Sequence, residues 1–107
     1  MTNTLKSGAI HIKSIISDER KCFVCGNPNV ECHHIFKGSA KRKISERYGL
    51  KVWLCVEHHR GTTGVHGKLG HQLDLRLKQI AQEKYEKRHT REEFIKLMGK
   101  NYRGDEK

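Results

Sequence analysis

Apolar residues along the chain fall into two rhythms. Two short stretches, Val30 to Ile35 and Leu50 to Cys55, are compact, and each predicts a strand. From about Leu69 the spacing lengthens. Leu69, Leu73, Leu77, Ile80 and Tyr85 recur every three to five residues and predict a helix with one apolar face. Thr90 followed by Glu93 forms a capping box opening a last short helix with Phe94, Ile95 and Met98, closed by Gly99. Between the strands, Ser39 is placed to cap a helix carrying Lys41, Arg42, Lys43, Ile44, Arg47 and Tyr48, with Gly49 as its stop. Ahead of the strands, Ile10, Ile12 and Ile15 or Ile16 suggest a short strand or helical turn in an N-terminal arm, residues 1–20, leaving 21–107 as the domain proper. Gly61, Gly64, Gly67 and Gly70 mark a loop where a metal or a phosphate can come close to the backbone.

This pattern describes a small α+β domain with a thin core. Only 35% of the 107 residues are apolar, and a core that small commonly needs a metal or disulfide staple. The formal net charge of +10 points to a polyanionic partner, most simply nucleic acid. Much of that charge lies in one segment. Lys37, Lys41, Arg42, Lys43, Arg47 and Lys51 are interrupted only by Glu46 and read as a phosphate-contact surface, which Arg60 extends. No apolar run has the length of a membrane span, and no secretory signal is recognisable, so the expected location is cytoplasmic. Disulfides are rare in that compartment, and the four cysteines read more naturally as metal ligands.

Their spacing supports this. Cys22 and Cys25 form one pair with a two-residue gap, and Cys55 and His58 form a second with the same gap. Two such pairs can wrap a tetrahedral zinc ion from both sides. Cys32 alternates with His33 along the first strand and is expected to fill the core, not to bind metal. The eight histidines are concentrated in His33-His34, His58-His59 and His66. With His58 assigned to zinc, His33, His59 and, as a further candidate, His66 can hold a second divalent metal. His34 is left beside it as an imidazole suited to taking a proton from water. A metal, a base and nearby cations such as Lys37, Lys41, Arg42 or Arg60 are the parts that phosphodiester hydrolysis needs. The plainer alternative is that the histidines only build structural zinc sites. His11, His71 and His89 read as ordinary surface or helix residues.

The order Cys-x2-Cys, His33-His34-Ile35, then Leu54-Cys55-x2-His58-His59 resembles the HNH endonucleases of the ββα-metal (His-Me finger) superfamily. The segments Glu31 to Phe36, Tyr48-Gly49-Leu50, Gly64-Val65-His66 and Arg91 to Tyr102 look most like its small phage-encoded, recombination-enhancement-function (Ref-like) branch. The resemblance implies a zinc-stapled ββα-metal core with a basic helix in the hairpin loop and C-terminal helices. It implies a DNA endonuclease in which His34 is the general base, His33 and His59 bind the catalytic metal, and the role of His66 is open. It further implies products with a 5′-phosphate and a 3′-hydroxyl, and a recombinase filament as a candidate partner. Two positions depart from the family. Leu50 falls near where the family carries its middle Asn, so another group must orient the base. His33 replaces a metal-binding Asp, and a nitrogen-rich site favours Mn²⁺, Co²⁺ or Ni²⁺ over Mg²⁺.

Overall fold

A computed structural model describes residues 13–104 of the chain. The elements run β1 (Val30–His34), α1 (Ser39–Tyr48), β2 (Lys51–Cys55), α2 (Val56–Arg60), α3 (His71–Tyr85) and α4 (Arg91–Met98). The strands pair antiparallel, with Val30 opposite Cys55, Cys32 opposite Trp53 and His34 opposite Lys51. The basic helix α1 therefore sits inside the hairpin connection, as the sequence pattern predicts.

Alternation sorts the hairpin into two faces. Glu31 and His33 share one face with Val52 and Leu54, and His33, Val52 and Leu54 are all buried there. The other face carries Cys32, Trp53, His34 and Lys51. Residues 13–20 lie against this second face. The Ser14 hydroxyl donates to the Lys51 carbonyl, and the Arg20 guanidinium stacks 4.7 Å from the centre of the Trp53 ring. Neither a strand nor a helical turn forms at Ile15 and Ile16. The Ser14 hydroxyl takes up the backbone N–H groups of Ile16 and Ser17, at 3.0 and 3.2 Å, and satisfies the backbone locally instead. Ile10 and Ile12 lie outside the described residues.

Other details also differ from the sequence pattern. Cys32 faces away from the core and is exposed, so it is not core filler. Lys51 is buried at 8% exposure and is not part of a phosphate-contact surface. Ser39 is the first residue of α1, not its cap. Gly38, at φ 97°, turns the chain into the helix, and its carbonyl accepts the Arg42 N–H at 2.7 Å. Leu69 is 68% exposed because it precedes Gly70, outside the helical rotation of α3. The buried stripe of α3 is Leu77, Ala81, Gln82 and Tyr85.

The capping box at Thr90 and Glu93 forms as expected, and Gly49 and Gly99 end their helices in the left-handed conformation. Phe36 follows β1 and joins the hairpin to the C-terminal helices, with its ring 5.7 Å from Phe94 and 5.5 Å from Tyr102. Around this contact lie Ile35, Leu50, Leu54, Leu77 and Met98. The segment after α4 is pinned by polar contacts. Gln82 donates to Asn101 and accepts from the Tyr102 N–H, both at 2.8 Å. Among the described residues, no helix is long and apolar enough to cross a membrane.

Candidate metal centres

Two groups of metal-binding side chains flank the end of β2. The first is Cys22, Cys25, Cys55 and His58, whose ligand atoms all lie within 4.8 Å of one another. Cys22 and Cys25 sit on a knuckle whose turn is closed by Gly26, at φ 80°, donating to the Cys22 carbonyl at 2.8 Å. The Phe23 N–H donates to the Trp53 carbonyl at 2.9 Å and ties the knuckle to β2. Cys55 ends β2, and one turn of α2 carries His58 back toward it.

The spacing of these atoms suits a tetrahedral ion. Zn–S bonds of about 2.3 Å and Zn–N bonds of about 2.0–2.1 Å require edges of about 3.8 Å between sulfurs and about 3.6 Å between sulfur and nitrogen. The Cys25–Cys55 sulfurs are 3.8 Å apart, and His58 Nδ1 is 3.6 Å from Cys22 Sγ and 3.3 Å from Cys55 Sγ. No disulfide competes, because the cysteines are free. Burial raises the Cys22 thiol pKa, but the backbone around Cys55, Cys25 and Val24 outweighs it through hydrogen bonds and brings the value down to about 6. A sulfur held toward its thiolate form is one prepared for a cation. The cluster can therefore hold a metal such as zinc.

The second group is His33, His59 and His66, again with ligand atoms within 4.8 Å of one another. Ring centres are 5.2 Å apart for His33–His59 and His33–His66, and 4.9 Å for His59–His66. His33 projects from the buried face of β1 and is only 2% exposed. Its Nε2 has no hydrogen-bond partner. An unpaired buried ring nitrogen is costly, and a cation at the centre of the three rings would satisfy it. Burial, reinforced by the neighbouring His59 and His66, lowers the His33 pKa to about 3, and burial also lowers that of His66. Both are thus kept neutral, the form in which imidazole binds metal.

His59 is oriented from behind. Its Nδ1 donates to Glu31 Oε1 at 2.7 Å, which leaves Nε2 as the nitrogen with a lone pair for a metal. Arg60 Nε donates to the same oxygen at 3.0 Å. Hydrogen bonds from Arg60 and His59 hold the Glu31 carboxyl at a pKa of about 2, so it stays an ionised acceptor. A carboxylate behind a metal-binding imidazole fixes its tautomer and raises its basicity.

His66 is brought in by the glycine loop. The Val65 and His66 N–H groups donate to the carbonyls of His58 and His59 at 2.9 and 3.0 Å, so loop and α2 share one backbone lattice. Cβ atoms at Gly67 and Gly70 would fall 1.9 Å from the Gly61 carbonyl oxygen and 1.6 Å from that of Gly64. These glycines serve contact between backbone segments, where the sequence alone suggested room for a metal or phosphate.

His34 lies on the opposite face of β1. Its Nε2 is 2.8 Å from Glu46 Oε1, and the Lys51 ammonium donates to Glu46 Oε2, also at 2.8 Å. Burial raises the Glu46 carboxyl, but Lys51 and His34 outweigh it and lower its pKa to about 2. An open cleft of about 930 Å³ is lined by His33, His34, His59 and His66 together with Lys37, Arg42, Lys43 and Glu46.

The structure gathers Cys22, Cys25, Cys55 and His58 into one cluster and His33, His59 and His66 into another, and His34 lines the same cleft as the second. Of the basic residues, Lys37, Arg42 and Lys43 line this cleft, whereas Lys41 and Arg47 do not, and Arg60 is engaged by Glu31. His71 is exposed at the start of α3, and His89, in the connection between α3 and α4, stacks on Tyr85 at 4.2 Å. His11 lies outside the described residues. Two carboxylates that contact these histidines were not singled out from the sequence. Glu31 could have been found from its i, i+2 relation to His33 on one strand face, and Glu46 from its isolation as the single acid of the basic segment. No family model, curated protein or solved structure matches this chain.

Proposed function

We propose that the protein is a metal-dependent endonuclease of the ββα-metal type that hydrolyses phosphodiester bonds in DNA. The observation carrying this reading is the buried, unpartnered Nε2 of His33 within a three-imidazole cluster, at a basic cleft that also contains His34. The hairpin followed at once by α2, with the histidines drawn from β1, α2 and the next loop, agrees with the resemblance seen in the sequence.

His33, His59 and His66 would hold the catalytic cation. When bound, a divalent cation there neutralises charge on the phosphate oxygens and on the departing oxygen. Lys37, Arg42 and Lys43 draw the phosphate backbone into the cleft. His34 accepts a proton from the attacking water as the water oxygen bonds to phosphorus. The bond from phosphorus to the 3′-oxygen breaks, and that oxygen takes a proton from solvent. The products are a 5′-phosphate and a 3′-hydroxyl. The Cys22, Cys25, Cys55 and His58 site takes no part in this chemistry and holds the knuckle to the end of β2.

Plasmid nicking by wild type and His34→Ala tests the proposal, each stripped of labile metal and resupplied with Mg²⁺, Mn²⁺ or nothing. The expected outcome is metal-dependent nicking by the wild type, with activity lost and DNA binding retained in the variant. A second reading, a zinc-bound nucleic-acid-binding module, draws on the same cationic lining. It is favoured if both proteins bind DNA, with affinity falling steeply as salt rises, and neither cuts. The same assay on recombinase-coated single strands then separates a binding module from a nuclease that needs a recombination partner.

A further inference from the structure

The resemblance leaves a gap at the base, because no Asn stands where the family carries one, near Leu50. The geometry assigns that task to Glu46. We propose that Glu46 is the positioning residue for His34, that it fixes the imidazole as its Nε2–H tautomer, and that Lys51 clamps Glu46 in place. The inference rests on the reading of His34 as the base.

The two hydrogen bonds determine the chemistry. Glu46 is held ionised by its partners and can only accept, so the nitrogen 2.8 Å away must carry the proton. In the neutral imidazole Nε2 is therefore the N–H, and Nδ1 is the ring nitrogen left with a lone pair for the water proton. An imidazole free to change tautomer would offer the wrong nitrogen part of the time. The opposite oxygen of Glu46 is taken by Lys51, whose side chain is 10% exposed, against 32% for that of Glu46. Lys51 is directly opposite His34 in the strand register, so the clamp and the base are cross-strand neighbours. Glu46 reaches both from α1. The helix in the hairpin loop thus carries the orienting group as well as cations, and the three residues make a closed link between β1, α1 and β2. The arrangement repeats at the metal cluster, where Glu31 orients His59 and is itself held by Arg60. In both cases a cation holds a carboxylate and the carboxylate sets a histidine.

The test is the tautomer itself, read by long-range ¹H–¹⁵N correlation on protein with ¹⁵N-labelled histidine. The zinc-loaded full chain is used at about pH 8, above the ordinary imidazole range. Wild type is expected to show the Nε2–H pattern at His34. Glu46→Met, which keeps the aliphatic stem, is expected to shift His34 to a mixture. Glu46→Gln, whose amide oxygen still accepts, is expected to restore the Nε2–H pattern. In nicking assays Glu46→Met should lower kcat by about 10–100-fold, the usual cost of removing such a partner, with KM within about twofold. Glu46→Gln should recover most of the loss. An unchanged His34 pattern in folded Glu46→Met overturns the proposal, as does Glu46→Gln behaving no better than Glu46→Met. If the tautomer follows Glu46 but no variant or wild type cuts DNA, the positioning role stands and the nuclease reading fails. Should Glu46→Met not fold, Glu46→Ala and Lys51→Met are read in the same way, and Nε2–H retained in both counts against the clamp.

Discussion

At the scale of single residues, the molecule draws five histidines from β1, α2 and the glycine loop and gives them different chemistry through their neighbours. His58 joins three sulfurs, while His59, next in sequence, turns to two imidazoles and a carboxylate. The Nε2 of His33 has no hydrogen-bond partner, whereas that of His34 lies 2.8 Å from a carboxylate oxygen. The His33 nitrogen makes a measurable demand. Titration calorimetry on zinc-loaded protein should show one further Mn²⁺ ion bound per chain, and His33→Ala should weaken it by at least about tenfold. The same experiment should rank Mn²⁺, Co²⁺ and Ni²⁺ above Mg²⁺, because the three donors are nitrogens and Mg²⁺ prefers oxygen. Mg²⁺ binding as tightly as Mn²⁺ would remove the three-imidazole site from consideration.

At the scale of elements, the glycine loop is the most exacting part of the chain. It folds back on α2 so closely that atoms absent from glycine have no room, and the obstruction is backbone that cannot swing aside. Gly70→Ala would put a Cβ 1.6 Å from the Gly64 carbonyl oxygen and 2.4 Å from its carbon. Forced overpacking of this kind costs about 1–3 kcal/mol, and here it bears on the segment that carries His66. The expected result is a lower melting temperature together with weaker binding of the second metal. A variant that melts like wild type and binds Mn²⁺ normally would show that the loop can open without consequence. Helix α2 makes the complementary point. It has five residues and no buried side chain, so its contribution is to aim His58 and His59, not to add to the core.

At the scale of the whole molecule, a small apolar core is supplemented by ionic and metal-binding groups. The core gathers around Phe36, Phe94 and the buried stripe of α3, while the knuckle hangs at the far end of β2, held by Cys22 and Cys55. If zinc is loaded into the Cys3His cluster, a chelator at neutral pH is expected to lower the unfolding temperature sharply, with recovery on adding zinc back. An unchanged melt would mean that the knuckle is stable on hydrogen bonds alone.

The C-terminal segment depends on Glu86, which accepts from Gln82 and Arg103 at 2.8 Å and from Arg91 at 2.9 Å. Burial raises its pKa, but these donors outweigh it and bring it below the ordinary 4.5. A depressed carboxyl stabilises the fold fully above its unfolded value and loses that contribution as pH falls below it. The difference in melting temperature between wild type and Glu86→Gln should accordingly be largest near neutrality and shrink below about pH 4.5. A difference that stays constant with pH would locate the effect in packing instead.

Much of this was legible in the chain itself. Strand and helix periods, the glycine stops and the Thr90 capping box are local properties, enforced by backbone sterics within a few residues. The two-residue gaps of the cysteine pairs are equally local, so the Cys3His cluster is legible in the order of residues alone. Tertiary structure decided what depends on the meeting of distant segments. Whether Cys32 and Lys51 face the interior or solvent, and whether Leu69 belongs to a helical face, depends on which surface is covered. That Glu31 would stand behind His59 and Glu46 beside His34 could not be deduced from separations of 28 and 12 residues. A carboxylate finds its imidazole only once strand register and helix position have been set, because hydrogen bonds act over a few ångströms of space, whatever the distance along the chain.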